Sequence, residues 1–210
     1  MRSRLALAAV SAAILLDALD LSITQVALPS IQGDLKLSTA ALQWVANAYV
    51  LTYGGFLLLG GRAADLLGRR RVFVAGLATF GAMSLACGLA PSSVPLVVAR
   101  GLQGVGAALT VPAAVSIIAT TFAEGQERNR ALGVFAASAS AGFSVGLVLG
   151  GVLTDALSWR WIFLVKVPVV ALVVLLSLRV VAEGRTPSAR RSYDVAGALM
   201  SVGALLLLVF

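Results

Sequence analysis

Six apolar stretches, each long enough to cross a lipid bilayer, follow one another along the 210-residue chain. A transmembrane helix needs about 20 mostly apolar residues. We predict spans at roughly 5–28, 39–60, 72–90, 94–121, 130–154 and 159–181. Only 12% of the residues are charged, against about 25% in a typical soluble domain. Because backbone groups in lipid must bond within their own segment, the sequence predicts an all-α membrane protein with a six-helix transmembrane bundle.

The part of the chain after the sixth stretch has a different character. We place the bundle at residues 1–181, a basic cytoplasmic loop at 182–194, and the start of a seventh helix at 195–210. Sixteen helical residues reach only about 24 Å, whereas the hydrocarbon core is about 30 Å thick. We therefore expect an incomplete seventh helix, and the chain to be a fragment of a longer protein.

The net charge of +7 is distributed unevenly between the two predicted faces of the membrane. Twelve arginines fall on the side of Arg2, whereas only Lys36 and Arg160 fall on the other side. An excess of basic residues marks the cytoplasmic side of a membrane protein. The charge therefore predicts a multi-pass protein of the cytoplasmic membrane with a cytoplasmic N-terminus, and not a nucleic-acid partner.

Four ionisable residues interrupt the apolar stretches: Asp17, Asp20, Arg100 and Lys166. A charge at membrane depth costs at least roughly 2.5–3.5 kcal/mol unless it is paired or hydrated, so such residues usually have a function. Helix rise places the last three within one layer, roughly 9–12 Å below the outer boundary. The pattern indicates either a cavity whose acids, Asp20 and then Asp17, exchange protons, or a static ion pair between spans one and four. A water-solvated acid is a further alternative for Asp17.

Several uncharged polar residues also lie within the predicted spans. The candidates for a substrate cavity are Gln43, Asn47, Tyr49, Gln103 and the cation Lys166. Their polar groups can bind a small organic molecule or neighbouring helices. The chain has no histidine and one cysteine, so we expect no metal site or cofactor, and we find no nucleophile–base pair typical of an enzyme.

Two glycine-containing patterns are the most distinctive. The stretch from Gly61 to Arg71 is predicted to be a cytoplasmic loop, in which Gly61 and Gly68 permit a tight turn and Asp65 can cap a helix. Arg69 and Arg70 can hold acids or phospholipid head groups on the inner side. The family resemblance described below implies a gating role for these five residues. In span five, Gly142, Gly146 and Gly150 recur every four residues. Such a row lets a neighbouring helix approach closely.

Five patches together resemble the major facilitator superfamily, and in particular its fourteen-helix drug:proton antiporters. They are residues 16–29, 61–71, 100–106, 142–151 and 159–163. The resemblance implies that Asp20 is the family's acidic position and that Arg100 takes part in proton coupling. It also implies gating positions at Asp65 and Arg69, and it extends the packing motif of span five to Gly151.

The chain departs from the family pattern at Leu147, where a proline is usual, and at Lys166, where asparagine is frequent. We expect Lys166 to compete with Arg100 for Asp20. The resemblance implies a second six-helix half with the substrate site between the halves, so the glycine row of span five would lack its partner helix here. We predict proton-coupled efflux of small organic molecules or drugs, with a missing C-terminal half or a second copy as partner. The alternative is a transport-incompetent fragment that only associates with other membrane proteins.

Overall fold

The computed structural model describes residues 2–183, and all of its regular secondary structure in that range is helical. The helices are α1 (Arg2–Leu35), α2 (Thr39–Leu67), α3 (Arg69–Gly88), α4 (Ser93–Thr121), α5 (Gln126–Ala156), α6 (Trp161–Leu164) and α7 (Lys166–Val180). The predicted seventh span at 195–210, and all but the first two residues of the basic loop at 182–194, lie outside the described residues.

Within residues 2–183, six helices are long and apolar enough to cross a membrane, when α6 and α7 are taken together as the span Trp161–Val180. The two pieces are separated at Val165. Pro168 has no N–H group to bond the Leu164 carbonyl, which accounts for an interruption at this place. The prediction of a six-helix transmembrane bundle is confirmed.

Helices that are distant in sequence pack together along most of their lengths. Helix α4 packs between α2 and α3, α1 packs against α5, and α7 packs against α3 and α1. Glycines make these contacts close. A side chain at Gly60 would overlap the Ala108 carbonyl, and one at Gly106 would come within 2.7 Å of the Phe80 backbone nitrogen. In a bilayer, small residues at such contacts favour helix association because they increase van der Waals contact.

The glycine row of α5 has a partner within this bundle, so the expectation of a missing partner helix is wrong. Gly142, Gly146 and Gly150 are buried against α1. A Cβ atom at Gly146 would lie 2.7 Å from the Leu19 carbonyl oxygen. Gly151, in contrast, faces open space, with no atom within 4 Å of an added Cβ. The four-residue spacing therefore identifies the packed face, and Gly151 does not belong to it.

Helix α1 is longer than the predicted span of 5–28, and it continues through Pro29 to Leu35. A proline inside a helix removes one hydrogen bond and normally favours a break. Here Ile31, beyond the proline, is fully buried in an apolar cluster with residues of the other helices. Tertiary packing therefore keeps this end helical, and the connection between α1 and α2 contains only residues 36–38.

The predicted loop from Gly61 to Arg71 is also mostly helical. Gly61–Leu67 form the end of α2, Arg69–Arg71 form the start of α3, and Gly68 alone connects them. Gly68 has φ 108°, a conformation that glycine adopts without the clash that a Cβ atom would cause. Gly68 therefore makes a one-residue turn between two helices, within the stretch that the sequence predicts to be a loop.

Candidate functional site

The ionisable residues of the spans meet in one place, which we call the charged cluster: Asp17, Asp20, Tyr49, Arg100, Gln103 and Lys166. All six side chains are buried, and they come from α1, α2, α4 and α7. The cluster lies where two apolar cores adjoin, one containing Leu16 and the other containing Leu19. The polar groups are therefore surrounded by hydrocarbon side chains, where direct partners replace water.

Asp20 is at the centre of the charged cluster. One carboxylate oxygen, Oδ2, lies 2.6 Å from Nη1 of Arg100. The other oxygen, Oδ1, accepts hydrogen bonds from Lys166 Nζ and, at 2.9 Å, from Gln103 Nε2. The predicted pair between Asp20 and Arg100 is thus present in the structure, and both carboxylate oxygens have strong donors.

Two of the three guanidinium nitrogens of Arg100, Nε and Nη1, donate hydrogen bonds. Its Nε donates to the Val45 carbonyl at 3.2 Å, and Nη1 also donates to Gln103 Oε1 at 2.8 Å. The guanidinium carbon lies 4.4 Å from the centre of the Tyr49 ring, within the range of a cation–π contact. These contacts fix Arg100 between α1 and α2, so the Asp20 pair depends on the packing of three helices.

Lys166 binds Asp20 together with Arg100, so the expectation that the two cations compete is wrong in this conformation. Each cation has its own carboxylate oxygen. The ammonium of Lys166 also lies 4.8 Å from the centre of the Phe163 ring and 5.8 Å from that of Phe80. A single acid therefore joins α1, α4 and α7 by ionic contacts.

Asp17 is less heavily bonded than Asp20. It is 7% exposed and accepts a hydrogen bond from the Tyr49 hydroxyl, which arrives from α2. A void of about 10 Å³ borders it, which is at the lower limit for one water molecule. Asp17 is therefore a buried acid that accepts a hydrogen bond from the Tyr49 hydroxyl in this conformation. With Asp17, the charged cluster contains two acids and two cations, so its formal charges balance.

The substrate-cavity candidates divide into two groups. Tyr49, Gln103 and Lys166 are at most 1% exposed and are bonded within the charged cluster, so they line no open space in this conformation. Gln43 is exposed and Asn47 is half-buried on α2. The cations and acids of the charged cluster bind the polar side chains that lie next to them. The spacing of residues in the sequence does not show which candidates lie close enough to be bound in this way.

The gating candidates lie together at the opposite end of α2 from Gln43. Gly61 and Asp65 line an open groove of about 620 Å³ between α2 and α4, together with Pro112. Gly68 makes the turn, and Arg70 lies 3.5 Å from Glu183. The structure thus brings these candidates to one end of the bundle, whereas a gating role remains a prediction.

One polar site at the other end of the bundle was missed by the sequence analysis. Asp34 Oδ2 accepts hydrogen bonds from Trp159 Nε1 at 2.9 Å and from Arg160 Nη1 at 2.7 Å. Arg160 also donates to the Ala90 carbonyl at 3.4 Å. The sequence contained a signal for this site, because Arg160 is one of only two basic residues that the predicted topology places on that face, and Asp34 lies between the predicted spans one and two on the same face.

Comparisons with known proteins agree with this architecture. The family model described as Major Facilitator Superfamily matches residues 10–209. The puromycin resistance protein pur8 of Streptomyces alboniger is 46% identical over 204 residues, covering 97% of this chain and 40% of that protein. The cephamycin export protein CmcT of Amycolatopsis lactamdurans is 48% identical over 190 residues, covering 90% of this chain and 39% of that protein.

A solved structure, a peptide transporter POT in complex with sulfate, has a TM-score of 0.75 at 17% identity. The match covers 97% of this chain and 45% of that one, and it supports the fold alone. The chain belongs to the Major Facilitator Superfamily, a family of membrane transporters, and is a multi-pass membrane protein. It spans about 40% of the length of the curated relatives that it matches.

Proposed function

We propose that this chain is the N-terminal half of a proton-coupled exporter of small organic molecules or drugs. The exporter acts in the cytoplasmic membrane by alternating access, with its N-terminus in the cytoplasm. The excess of arginines at one end of the bundle supports this orientation. The names of the relatives, which refer to antibiotic resistance and export, support the substrate class and the direction of transport.

The observation that carries the proposal is the double engagement of Asp20 by Arg100 and Lys166 inside the bundle. When Asp20 is ionised, its charge holds α1, α4 and α7 together. When it accepts a proton, two cations lose their shared counter-ion in a site without bulk water, which is strongly unfavourable. Protonation therefore favours a conformation in which the helices separate or water enters, and this couples proton binding to a change in access.

Asp17 provides a second proton-binding group near the first. It lies one helical turn from Asp20 on α1, and Tyr49 connects it to α2. Its single described hydrogen-bond partner contrasts with the three donors around Asp20. We assign Asp20 the principal role and Asp17 a modulating role, in which its charge changes the balance of the charged cluster.

The substrate path requires a second half, which is either a C-terminal bundle or a second copy of this chain. Helix α5 has most of its surface outside the core, including Phe143, Leu147 and Val148. Gln43 and Asn47 on α2 are the accessible polar candidates for substrate contact. Gly61, Asp65, Gly68, Arg69 and Arg70 form the cytoplasmic gate in this proposal, because they lie at the end where α2 and α3 meet.

The test is dye efflux from lipid vesicles that contain the purified chain and have an imposed proton gradient. We expect efflux that depends on the gradient, and a loss of at least about tenfold in Asp20→Asn, in line with the usual contribution of a proton-transferring group. The matched control is Asp155→Asn, which removes an exposed acid at the end of α5.

The outcomes separate the two candidate functions. Efflux that persists in Asp20→Asn would remove Asp20 from the coupling mechanism. If the wild-type chain gives no gradient-dependent efflux, a second copy of this chain does not supply the other half. Restored efflux when a C-terminal half of a relative is added to the vesicles would then support the proposal, and its absence would favour the alternative, a helix bundle that does not transport.

A further inference from the structure

A basic cavity lies at the end of the bundle where α1 and α3 begin and α7 ends. It has a volume of about 300 Å³, at the lower end of the roughly 300–1,000 Å³ of small-ligand pockets. Three arginines from three helices contribute to its lining: Arg2 of α1, Arg70 of α3 and Arg179 of α7. Thr121, at the end of α4, adds a hydroxyl. None of these residues belongs to the charged cluster or lines the groove between α2 and α4, and only Arg70 is also one of the proposed gate residues.

The positive charge of the cavity is only partly neutralised. Arg70 lies 3.5 Å from Glu183 and donates to the Val181 carbonyl. Within residues 2–183, neither Arg2 nor Arg179 has a carboxylate within ion-pair distance. Two guanidinium groups that have no carboxylate partner among residues 2–183, beside a third, define a site for an anion. Planar guanidinium groups suit phosphate because they can donate two parallel hydrogen bonds.

The surface next to the cavity indicates the source of the phosphate. On α7, Leu172, Leu175 and Leu178 are 66%, 57% and 49% exposed. Leu172 and Leu175 precede Arg179 by seven and four residues, so Leu172, Leu175 and Arg179 share one face of α7. An apolar stripe that ends at an arginine matches a lipid, whose acyl chains lie along the stripe while the phosphate reaches the cavity.

We propose that this cavity binds the phosphate group of an anionic phospholipid of the surrounding bilayer. Basic pockets between transmembrane helices are suited to anionic head groups, because the electrostatic attraction adds to the burial of the acyl chains. The bound lipid connects the ends of α1, α3 and α7. The site is independent of the proton-coupling acids, and a carrier without lipid in this cavity retains the charged cluster.

The test uses native mass spectrometry of the 210-residue chain in neutral detergent, titrated with phosphatidylglycerol, phosphatidylcholine or glycerol 3-phosphate. The variant is Arg2→Gln/Arg179→Gln, which leaves the ion pair of Arg70 intact. The matched control, Arg4→Gln/Arg130→Gln, removes two exposed arginines at the same end of the bundle and outside the cavity. A second variant, Arg2→Lys/Arg179→Lys, keeps the charge and tests the identity of the side chains.

We expect phosphatidylglycerol to bind more tightly than phosphatidylcholine. We also expect a loss of about 30-fold in the glutamine variant, from two basic groups at their usual strength against an anionic lipid surface. The lysine variant should bind more tightly than the glutamine variant because it keeps the charge, and more weakly than the wild type because it loses the paired hydrogen bonds. The control should keep the full affinity. Equal losses in the variant and the control would overturn the proposal, as would equal binding of the two lipids. Binding of glycerol 3-phosphate as tight as that of the lipid would show a soluble-phosphate site and overturn the lipid assignment.

Discussion

Replacing Asp20 with asparagine should destabilise the bundle more than any change of a surface acid. The substitution keeps the shape of the side chain but removes the counter-ion of Arg100 and Lys166, which are both 1% exposed. Removing one partner of a buried ion pair typically costs about 3–5 kcal/mol, because the remaining charge stays buried without compensation. Here two cations are affected, so we expect a loss of about 3–5 kcal/mol in the free energy of unfolding at neutral pH.

The measurement is denaturation by sodium dodecyl sulfate in mixed micelles, followed by helical circular dichroism. The double variant Asp20→Asn/Lys166→Met restores the charge balance, since one acid and one cation are then absent from the charged cluster. It should recover part of the loss, with a coupling energy between positions 20 and 166 of about 1–3 kcal/mol. The control Asp155→Asn should change the stability by less than about 0.5 kcal/mol. A loss below about 1 kcal/mol in Asp20→Asn, or the absence of recovery, would refute the reasoning, since values of that size are typical of exposed pairs.

Three further predictions concern the glycine packing face of α5, the turn at Gly68 and the ion pair between Asp34 and Arg160. Gly146→Ala should lower the free energy of unfolding by about 1–3 kcal/mol in the same assay, because the added Cβ meets the α1 backbone. Gly151 faces open space, so Gly151→Ala should leave the free energy of unfolding unchanged or raise it by up to about 1 kcal/mol. Equal effects of the two substitutions would contradict the assigned packing face. Gly68→Ala should cost about 1–2 kcal/mol because of its positive φ, and an unchanged denaturation midpoint would contradict the one-residue turn. Asp34→Asn should cost only about 0.2–1 kcal/mol because Asp34 and Arg160 are both partly exposed; a loss that does not shrink at high salt would contradict this description.

The sequence predicted the features that follow from hydropathy and helical rise. The number of spans depends on apolar length, and the meeting of Asp20 with Arg100 followed from their similar depths. The four-residue glycine spacing predicted a close helix contact but not its partner, because the choice of α1 over another helix depends on packing across the whole bundle. Likewise, nothing in the local sequence showed that Ile31 would be buried beyond Pro29 and would keep α1 helical.

The candidate site was predicted less completely than the fold. Asp20 and Arg100 were expected to pair, but Lys166 was expected to compete, because the sequence does not show that the two carboxylate oxygens face different helices. Tyr49 and Gln103 were assigned to a cavity, whereas burial beside charged groups makes them hydrogen-bond partners. Polar residues inside a bilayer bind the strongest partner within reach, and only the three-dimensional arrangement determines which partner that is.

The most direct test of the central claim is solid-state nuclear magnetic resonance of the chain in lipid bilayers, because the sequence contains only two lysines, Lys36 and Lys166. With ¹⁵N-labelled lysine side chains and ¹³C-labelled aspartate carboxyl groups, the Lys36→Arg variant leaves Lys166 as the only lysine signal. We predict strong carbon–nitrogen dephasing of this signal that disappears in Asp20→Asn, since the ammonium contacts this carboxylate in the structure. Weak dephasing, or dephasing that persists after the substitution, would contradict the proposal that Asp20 holds α7 in the charged cluster.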